Sequence, residues 1–102
     1  MKNARAPLTP NLKRQATNLG ERLSLARRRR KISAETAAAR ARTSRSTISR
    51  LENGDARVSI DILLRLLSIY GLSKDVDALA ADDQLGRTLQ DADLPARIRH
   101  RE

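Results

Sequence analysis

Apolar residues recur at helical spacing from Leu12 to about Ala80, in five blocks separated by capping and turn residues. Leu12, Ala16, Leu19, Leu23 and Ala26 fall at i, i+4, i+7, i+11 and i+14, one stripe on a helix expected to end near Lys31. Residues 1–10 precede it with Pro7, Pro10, scattered charge and no sustained period, and are expected to form a flexible arm. Ser33 is the expected N-cap of a second helix, with Glu35 in the first turn where the dipole favours negative charge. Ala34, Ala37, Ala38 and Ala41 share one of its faces, small enough for another helix to come close.

Thr43-Ser44 interrupts that pattern, and Ser44 is placed as the cap of a third helix with Ile48 and Leu51 inward. Asn53-Gly54 is expected to end it, because both residues tolerate the left-handed conformation. Ser59 caps a fourth helix, Ile60 to Tyr70, and Gly71 stops it. Eight apolar residues cover more than half of this helix, leaving Asp61, Arg65 and Ser68 for the rest. Such a helix calls for burial on more than one side, by its own core and, as a candidate second cover, by a partner. Ser73 is expected to cap a short fifth helix to about Ala80. Nothing reads as a strand, so the expected class is all-α.

Two short helices joined by a tight turn, the second carrying small polar and basic residues outward, is an arrangement that enters the DNA major groove. With Ile48 and Leu51 inward, Ser46, Ser49, Arg50 and Asn53 point away from the core and Arg45 sits at the exposed N-terminal end. Arginine pairs bidentately with guanine O6 and N7, and Ser or Thr bonds a base edge or a phosphate. The alternative for Arg45 and Arg50 is a solvated helix face.

Composition strengthens the nucleic-acid reading and weakens others. A chain of 102 residues encloses one modest core. Residues 1–70 hold 16 Lys/Arg against 5 Asp/Glu, whereas residues 71–102 hold 5 against 7, so the surplus of base lies with the folded part. Such a field attracts polyanions, nucleic acid first and anionic membrane surface second. Arg27 to Lys31 reads either as a phosphate patch or as cations closing a helix C-terminus. Lys2, Arg5, Lys13 and Arg14 read either as a DNA-tracking arm or as a disordered basic terminus.

With no cysteine, one histidine at His100 and no phosphate loop or nucleophile elbow, neither enzyme activity nor a metal or other cofactor is expected. No apolar run suits a membrane span or secretory signal, and the expected location is the cytoplasm. Tyr70 is read as core or dimer interface, since one aromatic cannot build a single-strand stacking platform.

From Leu19 to about Leu79 the chain resembles the lambda-repressor-like helix-turn-helix family of the Xre/Cro type. The resemblance rests on LGERL, Arg27, Ile32-Ser33, Ala38, SRSTISRLENG from Ser44 to Gly54, and SIDILLRLLSIYGLS. It implies a five-helix domain over residues 11–80, after the arm and before a tail of residues 81–102, with the third helix in the major groove. The candidate DNA-binding residues are Ser33, Arg42, Ser44, Arg45, Ser46, Thr47, Ser49 and Arg50, and an Arg27–Glu52 ion pair is implied to hold the reading helix in place. Two positions depart from the family. Ala34 stands where glutamine often contacts phosphate, and Arg42 stands where the turn usually has glycine, which implies an altered or strained turn.

The segment from Gln84 to Arg99 resembles the tail of HipB-like antitoxins, which accompany HipA-type kinase toxins. The implied function is a homodimeric repressor on a pseudo-palindromic duplex operator, acting as antitoxin to a HipA-like kinase. The alternatives are a stand-alone phage- or operon-type regulator with a disordered tail and, more remotely, a basic protein at a membrane surface.

Overall fold

Hydroxyl side chains start the first four helices of the computed structural model, in which residues 6–93 are described. Thr9 accepts from the Leu12 amide at the head of α1 (Pro10–Arg29), and Ser33 from Thr36 at the head of α2 (Ala34–Ala41). Ser44 does so for α3 (Arg45–Glu52) and Ser59 for α4 (Ile60–Ile69). Each satisfies a first-turn N–H that no helical carbonyl reaches. Pro10 therefore opens α1 instead of belonging to an arm, its fixed φ and missing N–H suiting the first helical position.

Two further helices follow. Ser73 is the first residue of α5 (Ser73–Ala78) and not its cap; Leu72 takes that place without a side-chain bond. The segment expected as a tail forms α6 (Gln84–Asp93), so the described residues hold six helices where five are expected, and no strand. Lys2 and Arg5 of the arm, and Leu94 to Arg99 of the antitoxin-like segment, lie outside the described residues.

α2 sits between α3 and α4, while α1 packs on α3 and α5 on α4. The alanine face of α2 is sealed at Ala37, Ala38 and Ala41, against Leu23 and Ala26 of α1, Ile48 and Leu51 of α3, and Leu66, Leu67 and Tyr70 from α4 and its end. Ile48 and Leu66 are fully buried, each worth roughly 1.5–3 kcal/mol. The α1–α3 contact depends on Gly20, where a Cβ would stand 2.6 Å from the Leu51 and Glu52 carbonyl oxygens.

The sequence reading departs from the structure at three points of packing. Asn53 keeps a right-handed backbone (φ −90°), and only Gly54 turns left-handed (φ +90°). Leu12, at the start of the α1 stripe, is left exposed. On α4, Ile60 and Leu64 are uncovered, Ile60 with 69% of its surface exposed, so its broad apolar circumference is only partly used by the chain's own core.

Candidate nucleic-acid interface

α3 is fixed from three directions. Ile48 and Leu51 root it in the core, Ser44 closes its first turn, and Arg27 grips its last residue, Glu52, next to the Asn53 cap. The Arg27 guanidinium donates from Nε to Glu52 Oε2 at 2.7 Å and from Nη2 to Oε1 at 2.9 Å. Its third edge donates from Nη1 to the Ile32 carbonyl at 3.0 Å, so one side chain ties α1, the α1–α2 turn and α3 together. Both partners are largely buried, and the bond to Glu52 raises the Arg27 pKa above its ordinary value. With every edge of its fork committed to the protein, Arg27 is structural.

The turn between α2 and α3 runs through Arg42, which adopts a left-handed backbone (φ 58°, ψ 48°) and caps α2 through its N–H. Thr43 N–H closes back on the Ala38 carbonyl at 2.9 Å. A non-glycine residue there costs of order 1–3 kcal/mol, so the strain implied by the sequence is present in the backbone. Arg42 is exposed beside the start of α3.

The outward face of α3 carries Arg45, Ser46, Arg50 and Asn53 exposed, with Ser49 half-buried at its margin. Thr47 is also half-buried; its N–H and Oγ1 both meet Ser44 Oγ, at 3.1 and 3.0 Å. Ser33 is occupied in the same way by the N–H and hydroxyl of Thr36, each at 3.0 Å. The eight candidates thus divide. Arg42 and Ser46 present uncommitted polar surface, Arg45 and Arg50 are exposed beside carboxylates, Ser49 lies half-buried at the margin, and Ser33, Ser44 and Thr47 first serve helix starts.

Two carboxylates stand beside the exposed arginines. Glu35, in the first turn of α2, meets Arg45 Nε at 2.9 Å, so α2 supports the first residue of α3 through position 35, one residue after Ala34. Asp55, in the loop after α3, accepts from Arg50 Nε at 3.1 Å, from the Arg57 amide at 2.9 Å, and from Arg57 Nε and Nη2 at 3.0 and 3.2 Å. Those bonds, the Arg57 side chain foremost, hold the Asp55 carboxyl far below the usual carboxylate range. Arg57 is drawn up beside Arg50 by the shared acceptor. Sequence reasoning treats Glu35 as a dipole partner and Asp55 as loop. The spacing Asp-x-Arg, in which an aspartate bonds the amide two residues on, was the available signal for Asp55.

Two further members of the arginine run at the end of α1 have partners within the chain. Arg30 donates to the Ala26 carbonyl at 2.9 Å and lies 6.0 Å from the Tyr70 ring centroid, while Arg28 reaches Ser24 at 3.1 Å. Tyr70 itself is core, and burial raises its pKa. A cleft of about 500 Å³ opens between Ala6–Leu8 and the loop of residues 53–57, with Lys13 and Arg57 in its wall. Among the described residues no cluster of His, Cys, Asp or Glu is arranged to hold a metal, and no helix is long and apolar enough to cross a membrane.

Residues 18–80, well over half of the chain, match a family model described as a helix-turn-helix domain. No curated protein and no solved structure gives a significant match.

Proposed function

The chain belongs to the helix-turn-helix domain family of DNA-binding regulators, and on that premise we propose that it is a sequence-specific transcriptional repressor. The observation that carries this reading is the face of α3, where Arg45, Ser46 and Arg50 are exposed on a helix whose opposite side is anchored by Ile48 and Leu51. Arg45 and Arg50 read bases. Ser46 and Ser49 contact base edges or sugar-phosphate, and Arg42 meets the backbone at the turn. Ser33, Ser44 and Thr47 contribute at the two helix starts, where orphan N–H groups favour phosphate.

The working unit is a homodimer on a pseudo-palindromic operator, with two copies of α3 in successive major grooves about 34 Å apart. Exposed Ile60 and Leu64, next to an apolar recess of about 150 Å³ lined by Leu19, Leu51, Val58 and Leu63, supply surface for a second copy. Its place of work is the cytoplasm. Selection of bound duplexes from a random pool tests the reading: a recurring two-fold-related motif supports it, and recovery of unselected sequence refutes it.

A second reading adds a partner, a HipA-like kinase toxin held through the C-terminal segment. It is favoured by α6, whose Leu85 and Leu89 are exposed and which buries no residue of its own. Co-purification with the product of the neighbouring gene decides it; no complex and no kinase-like neighbour leaves a stand-alone regulator.

A further inference from the structure

Arg27 shows what a wholly committed guanidinium looks like here, with all three of its nitrogens bonded to protein. The two arginines on the outer face of α3 are held differently. Glu35 meets Arg45 at Nε, and Asp55 meets Arg50 at Nε. A carboxylate on that side of the planar group leaves the Nη1–Nη2 edge, at the tip of the fork, for another acceptor pair. That edge matches guanine O6 and N7.

The two carboxylates flank α3 from opposite ends and from different elements. Glu35 projects from α2, whose start is fixed by Ser33, and Asp55 is itself fixed by the Arg57 amide and side chain, with only 16% of its side chain exposed. Neither is placed where it would be merely a neighbour on the same helical face. Asp55 holds Arg50 through a hydrogen bond, and Glu35 stands against Arg45 as an exposed ion pair.

We propose that Glu35 and Asp55 are specificity-determining positioning residues: each fixes one base-reading arginine by its Nε side and so presents a preformed fork to a guanine. This rests on the reading of α3 as the recognition helix. It also names the substrate more closely, as a half-site with two guanines, one read by Arg45 and one by Arg50. Arg45 and Arg50 are five residues apart, about 7.5 Å along the helix, which separates the two guanines along the groove. Ordering a long side chain before binding removes an entropic cost that otherwise falls on the complex, a gain of about three- to tenfold in affinity for the right base at each arginine.

The opposite role is also physically available to these carboxylates. As decoys occupying the arginines, they would weaken binding to every duplex alike, and their removal would strengthen it.

The test uses the full-length protein in five forms: wild type, Glu35→Gln, Asp55→Asn, Arg45→Ala and Arg50→Ala. Each is taken through selection from a random duplex pool and then through affinity measurement on the selected operator and on a scrambled duplex. Paired relaxation is expected. Glu35→Gln loosens the same guanine as Arg45→Ala, Asp55→Asn loosens the same guanine as Arg50→Ala, and affinity for the scrambled duplex holds or rises because a negative charge has gone. A merely structural role moves thermal stability without this pairing.

Retention of both guanines by the two carboxylate variants, or an equal gain on operator and scrambled duplex, overturns the proposal while leaving the reading of α3 intact. Loss of that reading looks different, since then the two arginine variants also select as wild type does. Glu35 is two-thirds exposed, so Glu35→Gln keeps the test decisive even if Asp55→Asn folds poorly.

Discussion

Arg27 and Glu52 face each other across 25 residues of sequence as a bidentate pair, 2.7 and 2.9 Å apart, and the same guanidinium holds the Ile32 carbonyl. The pair sets the last turn of α3 against α1. Glu52→Gln removes the charge from a largely buried site and leaves Arg27 without its counter-ion. We expect a loss of about 2 kcal/mol, since bonds to charged groups are worth roughly 1.5–3 kcal/mol. Thermal unfolding by circular dichroism checks it, with the midpoint falling by about 10 °C for a domain of this size.

Gly20→Ala sets two effects against each other. Alanine is the better helix former by roughly 0.5–1 kcal/mol, yet its Cβ would meet the Leu51 and Glu52 carbonyl oxygens at 2.6 Å. Those atoms are backbone and cannot swing aside, so α1 must separate from α3. Net destabilisation of about 1–3 kcal/mol is expected in denaturant titration.

Arg42→Gly relieves a left-handed non-glycine backbone and is expected to stabilise the fold by about 1 kcal/mol. It also removes a cation at the turn. If Arg42 meets phosphate, the slope of log K against log salt becomes shallower by about 0.9, the release of one counterion. Stability up and salt slope down is the expected combination, read by thermal melts and by binding at several salt concentrations.

Asp55 supplies the clearest pH dependence. Its folded pKa lies far below the ordinary 3.8, so its contribution to stability is complete above about pH 5 and is lost progressively as pH falls past 3.8 towards the folded value. Asp55→Asn has no such group to protonate. Between pH 4 and 2 the melting temperature of wild type should therefore fall more steeply than that of the variant; parallel curves would show that Asp55 is not held by Arg57 and Arg50.

Much of the fold was legible because its signals are local. Ser33, Ser44 and Ser59 announce helix starts, the alanines of α2 announce a close-packed face, and Gly54 and Gly71 mark stops. What escaped depends on three-dimensional placement. The sequence cannot say that Leu12 and Ile60 stay uncovered, that Asn53 remains right-handed, or that Arg30 lies against Tyr70. α6 escaped because Leu85 and Leu89 bury nothing, so no core demanded a helix there. The chemistry of the outer face was read as residue types on a wheel, while the carboxylates bracing Arg45 and Arg50 come from other elements.

The central claim is that the outer face of α3 discriminates between DNA sequences. Its most direct test is the ratio of the dissociation constant for scrambled duplex to that for operator, at one salt concentration, for wild type and Arg50→Ala. Loss of one bidentate base contact, about 1–3 kcal/mol, should cut that ratio by roughly 5- to 150-fold. An unchanged ratio, with both affinities lowered equally, would mean that Arg50 serves only phosphate and that α3 does not read the bases through it.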